Sequence, residues 1–458
     1  MGKKVSNRKK KHLLNQTIHP DAAGIDIGAE ELVVAVPFDR DPNPVRTFAT
    51  FTGDLNALCT WLESIKITTV AMESTGTYWI PVYETLQDAG IEVCLVNARH
   101  VKGVPGKKTD VCDAQWLQQL HTAGLLKASF RPAAEVVAVR HIVRHRSQLI
   151  KDASRHLLHM QKALTEMNLK LHHVFSDLDG ASAMSIIEAI LDGQRDPEVL
   201  WQLRDKRCRT SKTSFLKAME GNWQPSQLFI LKQCHTTWTQ TRNAIGECDG
   251  MIEQLMSAIP AQTDSKLPEA PKSKRRHNKN DLSFDIFQEA YRVYGVDLST
   301  IDGISAGTLS ILIGELGNAE DILTNFKTGK AFASWLGLCP DNRISGGKIL
   351  KSKTRHIANR VSAALRMAAQ GLGHAKSEMG EYCRRMKGRL GKAEGITAVA
   401  HKLARLIYAL IQSKEPYNPT KAFRITEKTW ARRLKNLEKL AKSMQMELIP
   451  ATPISKGI

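Results

Sequence analysis

Apolar and polar positions along the 458-residue chain change their period twice. Through residues 19–130, short apolar runs alternate with helical stretches. AAGIDIGA and ELVVAVPFD read as adjacent strands, and ATFTGDLNALCTWLESI as a turn into a helix. TTVAMES follows as a strand, TYWIPVYETLQDAG as a helix, IEVCLVNAR as a buried strand and residues 110–120 as a helix. Strands alternating with helices in this way predict an α/β layer around a central sheet. From Val136 the pattern becomes a heptad seam: Val136, Val139, Val143, Arg146, Ile150, Ala153, Leu157, Met160, Leu164, Met167 and Leu171, broken only by Arg146. Leu231, Cys234, Trp238, Thr241, Ile245, Cys248, Ile252, Leu255 and Ile259 repeat it, weakened by Thr241. These helices pair with each other, pair with a second subunit as a coiled coil, or form an ordinary helical core. The pattern leaves all three open.

Between the seams, residues 180–227 read as a mainly helical insertion, and residues 260–281, rich in Pro, Ser and Lys, as a linker. Short helices and Gly-rich turns follow. The expected division is a basic tail at 1–18, an α/β domain at 19–130, a helical region at 131–259, a linker at 260–283, a mainly α domain at 284–413 and a basic tail at 414–458.

Composition narrows the partners. The chain has 65 Lys and Arg against 46 Asp and Glu, a net charge of +19, with 42% hydrophobic residues, enough for several cores. The basic N-terminus has no apolar run after it and no membrane span is evident, so a cytoplasmic protein is expected. Its eight cysteines are scattered without a CxxC pair and read as reduced thiols. Arg343, Lys348, Lys351, Lys353, Arg355 and Arg360 occur with no acidic residue among them. Further basic concentrations lie at residues 3–11, 140–155 and 272–279. Such single-sign blocks point to a nucleic acid. His141/His145 and His156/His159 have zinc-compatible spacing, but no third or fourth ligand is evident.

Four carboxylates stand out. Asp26 lies within a strand between two isoleucines, where a charge is costly unless compensated. Glu73 closes the strand TTVAME, and Asp110 and Asp113 share a helix face through their spacing of three. In isolation Asp110 could be a helix cap and Asp113 a first-turn acid. The order hairpin, strand, helix, strand, helix is that of the RNase H-like fold, in which the first strand, the fourth strand and the last helix converge. Four carboxylates there would make an oxygen-ligand site for Mg²⁺, with room for two ions. Farther along, STIDGISAGTLSILIGELG suggests a helix-hairpin-helix, with Gly303 and Ser305 at a turn that can approach a phosphate. Ser345 sits in a Ser-Gly-Gly turn at the start of the basic block, where a nucleophile would have access and nearby cations. Ser352 and Ser362 lie nearby without glycine neighbours.

The segments GIDIGAEELVVAVP, VAMESTGTYWIPVYETLQDAGIEVCLVNARHVK and GKKTDVCDAQWLQQLHTAGLL resemble the N-terminal domain of bacterial insertion-sequence DEDD transposases. The resemblance runs over nearly the whole chain. RDPEVLWQLRDKRCRTS and GNWQP look like the longer branch of that family. It implies a RuvC-like domain using Asp26, Glu73, Asp110 and Asp113, joined to a C-terminal serine domain. It further implies that Ser345 attacks a DNA phosphodiester to form a phosphoserine, with help from the carboxylates and Mg²⁺, in a composite site that two subunits could share. A bridge-type guide RNA, a coiled-coil dimer and a tetramer at synapsis are the expected partners. A Mg²⁺-dependent junction nuclease using water is the competing expectation. A sugar kinase or actin-like ATPase would need a second copy of the α/β unit, which is not found, and a binding protein without activity is the plainest alternative.

Overall fold

The computed structural model describes residues 17–74, 76–97, 110–269, 275, 278–355, 357–423 and 427–448. The basic run at 3–11 and most of 272–279 lie outside them. The chain divides after Arg131 into two compact units.

The first unit is built on a mixed sheet of β1 (Ala22–Ile27), β2 (Glu31–Ala35), β3 (Val45–Ala49), β4 (Thr69–Glu73) and β5 (Glu92–Val96), in the order β3-β2-β1-β4-β5. β1 runs antiparallel to β2 and parallel to β4. The central strands read as nearly continuous apolar runs because both faces are covered. On one face Ala23, Ile25, Leu32 and Val34 pack beneath α1 (Thr52–Ser64) and α2 (Trp79–Asp88). On the other, Val33 and Ala35 meet Ala114 of α3 (Asp110–Thr122). Gly24 makes that second contact possible. A Cβ at this position would lie 2.3 Å from the Ala114 carbonyl oxygen and 2.4 Å from the Gln118 nitrogen. β3 was not anticipated from the sequence. VRTFA is an edge strand that is nowhere fully buried, so it lacks the apolar alternation that marks a half-buried strand.

In the second unit, two 33-residue helices, α4 (Ala134–Glu166) and α9 (Pro225–Ser257), pack against each other. They are antiparallel: Gln227 near the start of α9 donates to Glu166 at the end of α4, while Arg146 pairs with Asp249 near the other end. The heptad seam is therefore occupied within one chain. Val136, Val139, Val143, Ala153, Met160 and Leu164 are buried on one side, and Leu231, Ile245, Cys248 and Ile252 on the other. The break at Arg146 has a cause. Its guanidinium is buried against the Asp249 carboxylate and also donates to the Asn280 and Asp281 carbonyls, while the Ser283 N–H donates to Asp249. Unpaired, either charge would be prohibitive at that depth.

Short helices α5 (Leu171–Val174), α6 (Ala181–Leu191), α7 (Pro197–Gln202) and α8 (Lys212–Ala218) close one end of this arm around Ile186, Ile187, Leu200 and Phe215. The remaining chain folds as α10 (Ile286–Tyr294), α11 (Ala306–Leu316), α12 (Ala319–Asn325), α13 (Gly329–Trp335), a hairpin of β6 (Arg343–Ser345) and β7 (Lys348–Lys351), α14 (Arg360–Gly371), α15 (Glu378–Leu390), α16 (Lys392–Ser413), α17 (Pro419–Ala422) and α18 (Glu427–Ser443). Arg144 donates from Nε and Nη2 to the two carboxylate oxygens of Glu315, each at 2.8 Å, and Arg140 donates to the Gly314 and Glu315 carbonyls, fastening α4 to α11. No helix among the described residues is long and apolar enough to cross a membrane.

Candidate active site

Strand register brings two of the singled-out carboxylates together. Ile25 pairs with Met72 across the parallel β1–β4 ladder, so Asp26 and Glu73, each one residue farther on, stand side by side where their strands end. Neighbouring strands lie about 4.8 Å apart. Asp26 shares its face with Gly24, two residues back, and this is the face that α3 covers. The direction of α3 follows from its far end, where buried His121 hydrogen-bonds Thr69 at the start of β4, 2.9 Å away. The first turn of α3 therefore reaches the sheet end that carries Asp26 and Glu73. Asp113 is half-buried there, one residue before Ala114. Asp110 begins the helix, and its side chain lies outside the described residues. Among the described residues, no three His, Cys, Asp or Glu side chains converge as a metal-binding group.

A cleft of about 700 Å³ opens beside Asp26, lined by Gly28 and Glu30 of the β1–β2 turn, by Glu31 at the start of β2 and by Thr47 and Phe48 of β3. In the sequence the signal for Glu30 and Glu31 is an acidic pair directly after GIDIGA. His121 helps hold the other end of α3. Burial, and secondarily the His19 ring stacked 5.1 Å away, lower its pKa to about 4. It packs as a neutral imidazole.

Ser345 is exposed and ends β6 at the tip of the hairpin. Gly346 and Gly347 follow at φ +54° and +75°. Positive φ at both central positions is what a type I′ two-residue hairpin turn requires, and glycine adopts it without steric cost. The ladder sets exposed Lys348 directly opposite Ser345. The serine is thus presented beside a cation, on a projection rather than in a pocket.

Two family models match the chain. One, described as DEDD_Tnp_IS110 transposase, covers residues 23–169. The other, described as Transposase IS116/IS110/IS902 family, covers residues 297–384. The first stretch contains all four singled-out carboxylates and the second contains Ser345. The chain is an IS110-type transposase. No match was found among curated proteins.

In this transposase the other singled-out residues occupy varied places. Lys353 is exposed, and the side chains of Arg343 and Lys351 lie outside the described residues. Arg355 donates to the Ser334 carbonyl at 2.7 Å, tying the segment after β7 to the end of α13. Arg360 opens α14, 4.0 Å from Glu315. Gly303 turns the chain at φ +89°, and the Ser305 hydroxyl caps α11 by accepting the Thr308 N–H. Ser352 is exposed. Ser362 is only 1% exposed, within α14, so no phosphate can reach it as placed. The histidines His141/His145 and His156/His159 join no three-ligand group among the described residues.

Proposed function

We propose that this transposase cuts and rejoins DNA through Ser345, assisted by Mg²⁺ held by Asp26, Glu73, Asp110 and Asp113 of a RuvC-like domain, and directed by a structured guide RNA. The observation that carries the reading is the β1–β4 register, which pairs Asp26 with Glu73 at the end of the sheet reached by the first turn of α3. The strand order, with an antiparallel hairpin beside parallel strands, supports an RNase H-like frame. The donor set fits a hard cation, being carboxylate throughout, and one of its members, Asp26, lines an open cleft. Bound there, such an ion would lower the cost of negative charge on the scissile phosphate.

In this reading the Ser345 Oγ gives up its proton and bonds to phosphorus as one P–O ester bond of the DNA breaks. The departing oxygen takes up a proton as a hydroxyl. A hydroxyl from a second DNA end then attacks the phosphoserine and frees the serine. Lys348, across the ladder, offsets the charge that develops on the phosphate. Arg343, Lys351, Lys353, Arg355 and Arg360 would hold flanking phosphates. The turn at Gly303 and Ser305, in a helix-hairpin-helix-like element, offers another backbone contact. Leu158, Phe229, Ile230 and Met251 on the arm are left exposed, which supports pairing of arms between copies and a tetramer at synapsis.

Wild-type protein purified with its bound RNA and incubated with Mg²⁺ and DNA containing an element end should yield a denaturant-resistant protein–DNA adduct. Ser345→Ala should yield neither adduct nor strand exchange. Full cleavage by Ser345→Ala would transfer the reaction to a water nucleophile and a junction-nuclease mechanism. Undiminished exchange by Asp26→Asn would remove the metal-site role.

A further inference from the structure

The segments RDPEVLWQLRDKRCRTS and GNWQP have no part in the chemistry proposed for the carboxylates and the serine. They close the end of the arm where α4 stops, 22 residues past Arg144 and so roughly 33 Å along the helix from its contact with α11. The Lys170 N–H donates to the Ala218 carbonyl and the Thr210 hydroxyl to the Val174 carbonyl, fixing the loop between α7 and α8 at that end. Trp201 and Phe215 pack beneath it with ring centroids 5.2 Å apart. The Arg204 guanidinium lies over Trp201 at 3.6 Å, and its buried Nε has no hydrogen-bond partner among the described residues.

Residues 203–217 carry Arg204, Lys206, Arg207, Arg209, Lys212 and Lys217 against the single acid Asp205. Arg207 engages Asp205, and Lys212 pairs with Glu198. Lys206, Arg209 and Lys217 are exposed, and among the described residues they have no ion pair. A rigid platform that gathers this much like charge on a short loop raises its own electrostatic energy, and a polyanion offsets it. A row of spaced cations suits a repeating phosphate backbone.

We propose that the segment from Arg204 to Lys217, the α7–α8 loop and helix α8, is a second DNA-holding surface, gripping the phosphate backbone of duplex DNA away from the reacting site. This rests on the DNA-transposase reading of the chain. Lys206, Arg207, Arg209 and Lys217 make the contacts, and Arg204, stacked on Trp201, sets the floor of the loop. Because the contact is to phosphates, it is independent of base sequence.

The test uses full-length protein and a mixed-sequence 40-base-pair DNA duplex, with affinity measured across a salt series. Replacing Lys206, Arg207, Arg209 and Lys217 together with Gln should weaken binding about tenfold or more near physiological salt. It should also flatten the slope of log affinity against log salt by about 0.9 per lost contact. Lys162→Gln with Lys232→Gln, removing charges elsewhere on the arm, should leave the slope unchanged. Each single Gln variant should reduce the slope by its own share, which keeps the test valid if the quadruple variant misfolds. An unchanged slope, or a loss seen only with a structured RNA probe and not with DNA, would overturn the proposal. Failure of the wild type to bind DNA at all would instead strike the transposase reading itself.

Discussion

The carboxylate end of the first unit and the serine hairpin of the second solve opposite problems. Asp26 and Glu73 are fixed by a parallel ladder, and α3 is drawn onto their face by a glycine that leaves no room for a side chain. Ser345 stands on a short exposed ladder, with Ile344 beside it 61% exposed and Leu350 70% exposed. Groups that must share one ion have to be held at fixed separations, which takes a buried frame. A nucleophile that must meet a duplex has to project from the surface. The difference teaches that tolerance to substitution should diverge sharply between the two regions even though the proposed reaction calls on both.

The largest effect is expected at Gly24. Gly24→Val places carbon against the α3 backbone, so β1 and α3 must part, and denaturant unfolding of the full chain should show a loss of about 3 kcal/mol or more. Strand exchange should disappear with it. A variant that kept wild-type stability would mean that α3 is not seated on β1. A smaller and more local effect is expected in the hairpin. Gly346→Val or Gly347→Val forces a β-branched residue into positive φ, costing about 1–2 kcal/mol in the turn. The global unfolding midpoint should barely move, while adduct formation slows roughly tenfold, and Gly346→Asn should recover much of the rate because asparagine tolerates that conformation. If the midpoint fell as far as for Gly24→Val, the contrast between the regions would collapse.

The smallest effect is a pH dependence. His121 has a folded-state pKa of about 4 against an ordinary 6.5. Between those values the unfolded chain binds a proton that the folded chain refuses. The stability present above pH 6.5 therefore declines as pH falls to 4, by at most about 3 kcal/mol. His121→Gln should unfold with a shallower acid slope over that window. Equal slopes would show that His121 is not held neutral against Thr69.

The sequence announced the frame better than the hairpin, for a physical reason. β1, β4 and α3 bury large apolar surfaces, and burial imposes a period; the isoleucines around Asp26 made its charge conspicuous. The sheet edge and the serine ladder bury little, so β3 and β6–β7 carry no such period, and only the Gly-Gly pair betrayed a turn. The heptad seam of residues 136–164 was plain, but a seam does not name its partner, and here α9 of the same chain fills it. Asp249, adjacent to seam residue Cys248, was the unread counterpart of Arg146. Glu315, which gathers Arg144, Arg140 and Arg360, sat unnoticed in an apolar stretch because its partners come from two distant helices.

The buried Arg146–Asp249 pair also decides the length of the arm. A seam of purely aliphatic residues could slide by seven residues and find a comparable fit. Here such a slip would strand two opposite charges in apolar surroundings, a cost of several kcal/mol, and release the backbone at Asn280, Asp281 and Ser283. The two helices therefore lock at one offset. Whatever the tip holds is kept at a set reach from the C-terminal helices, as the mark on a ruler is kept from its end.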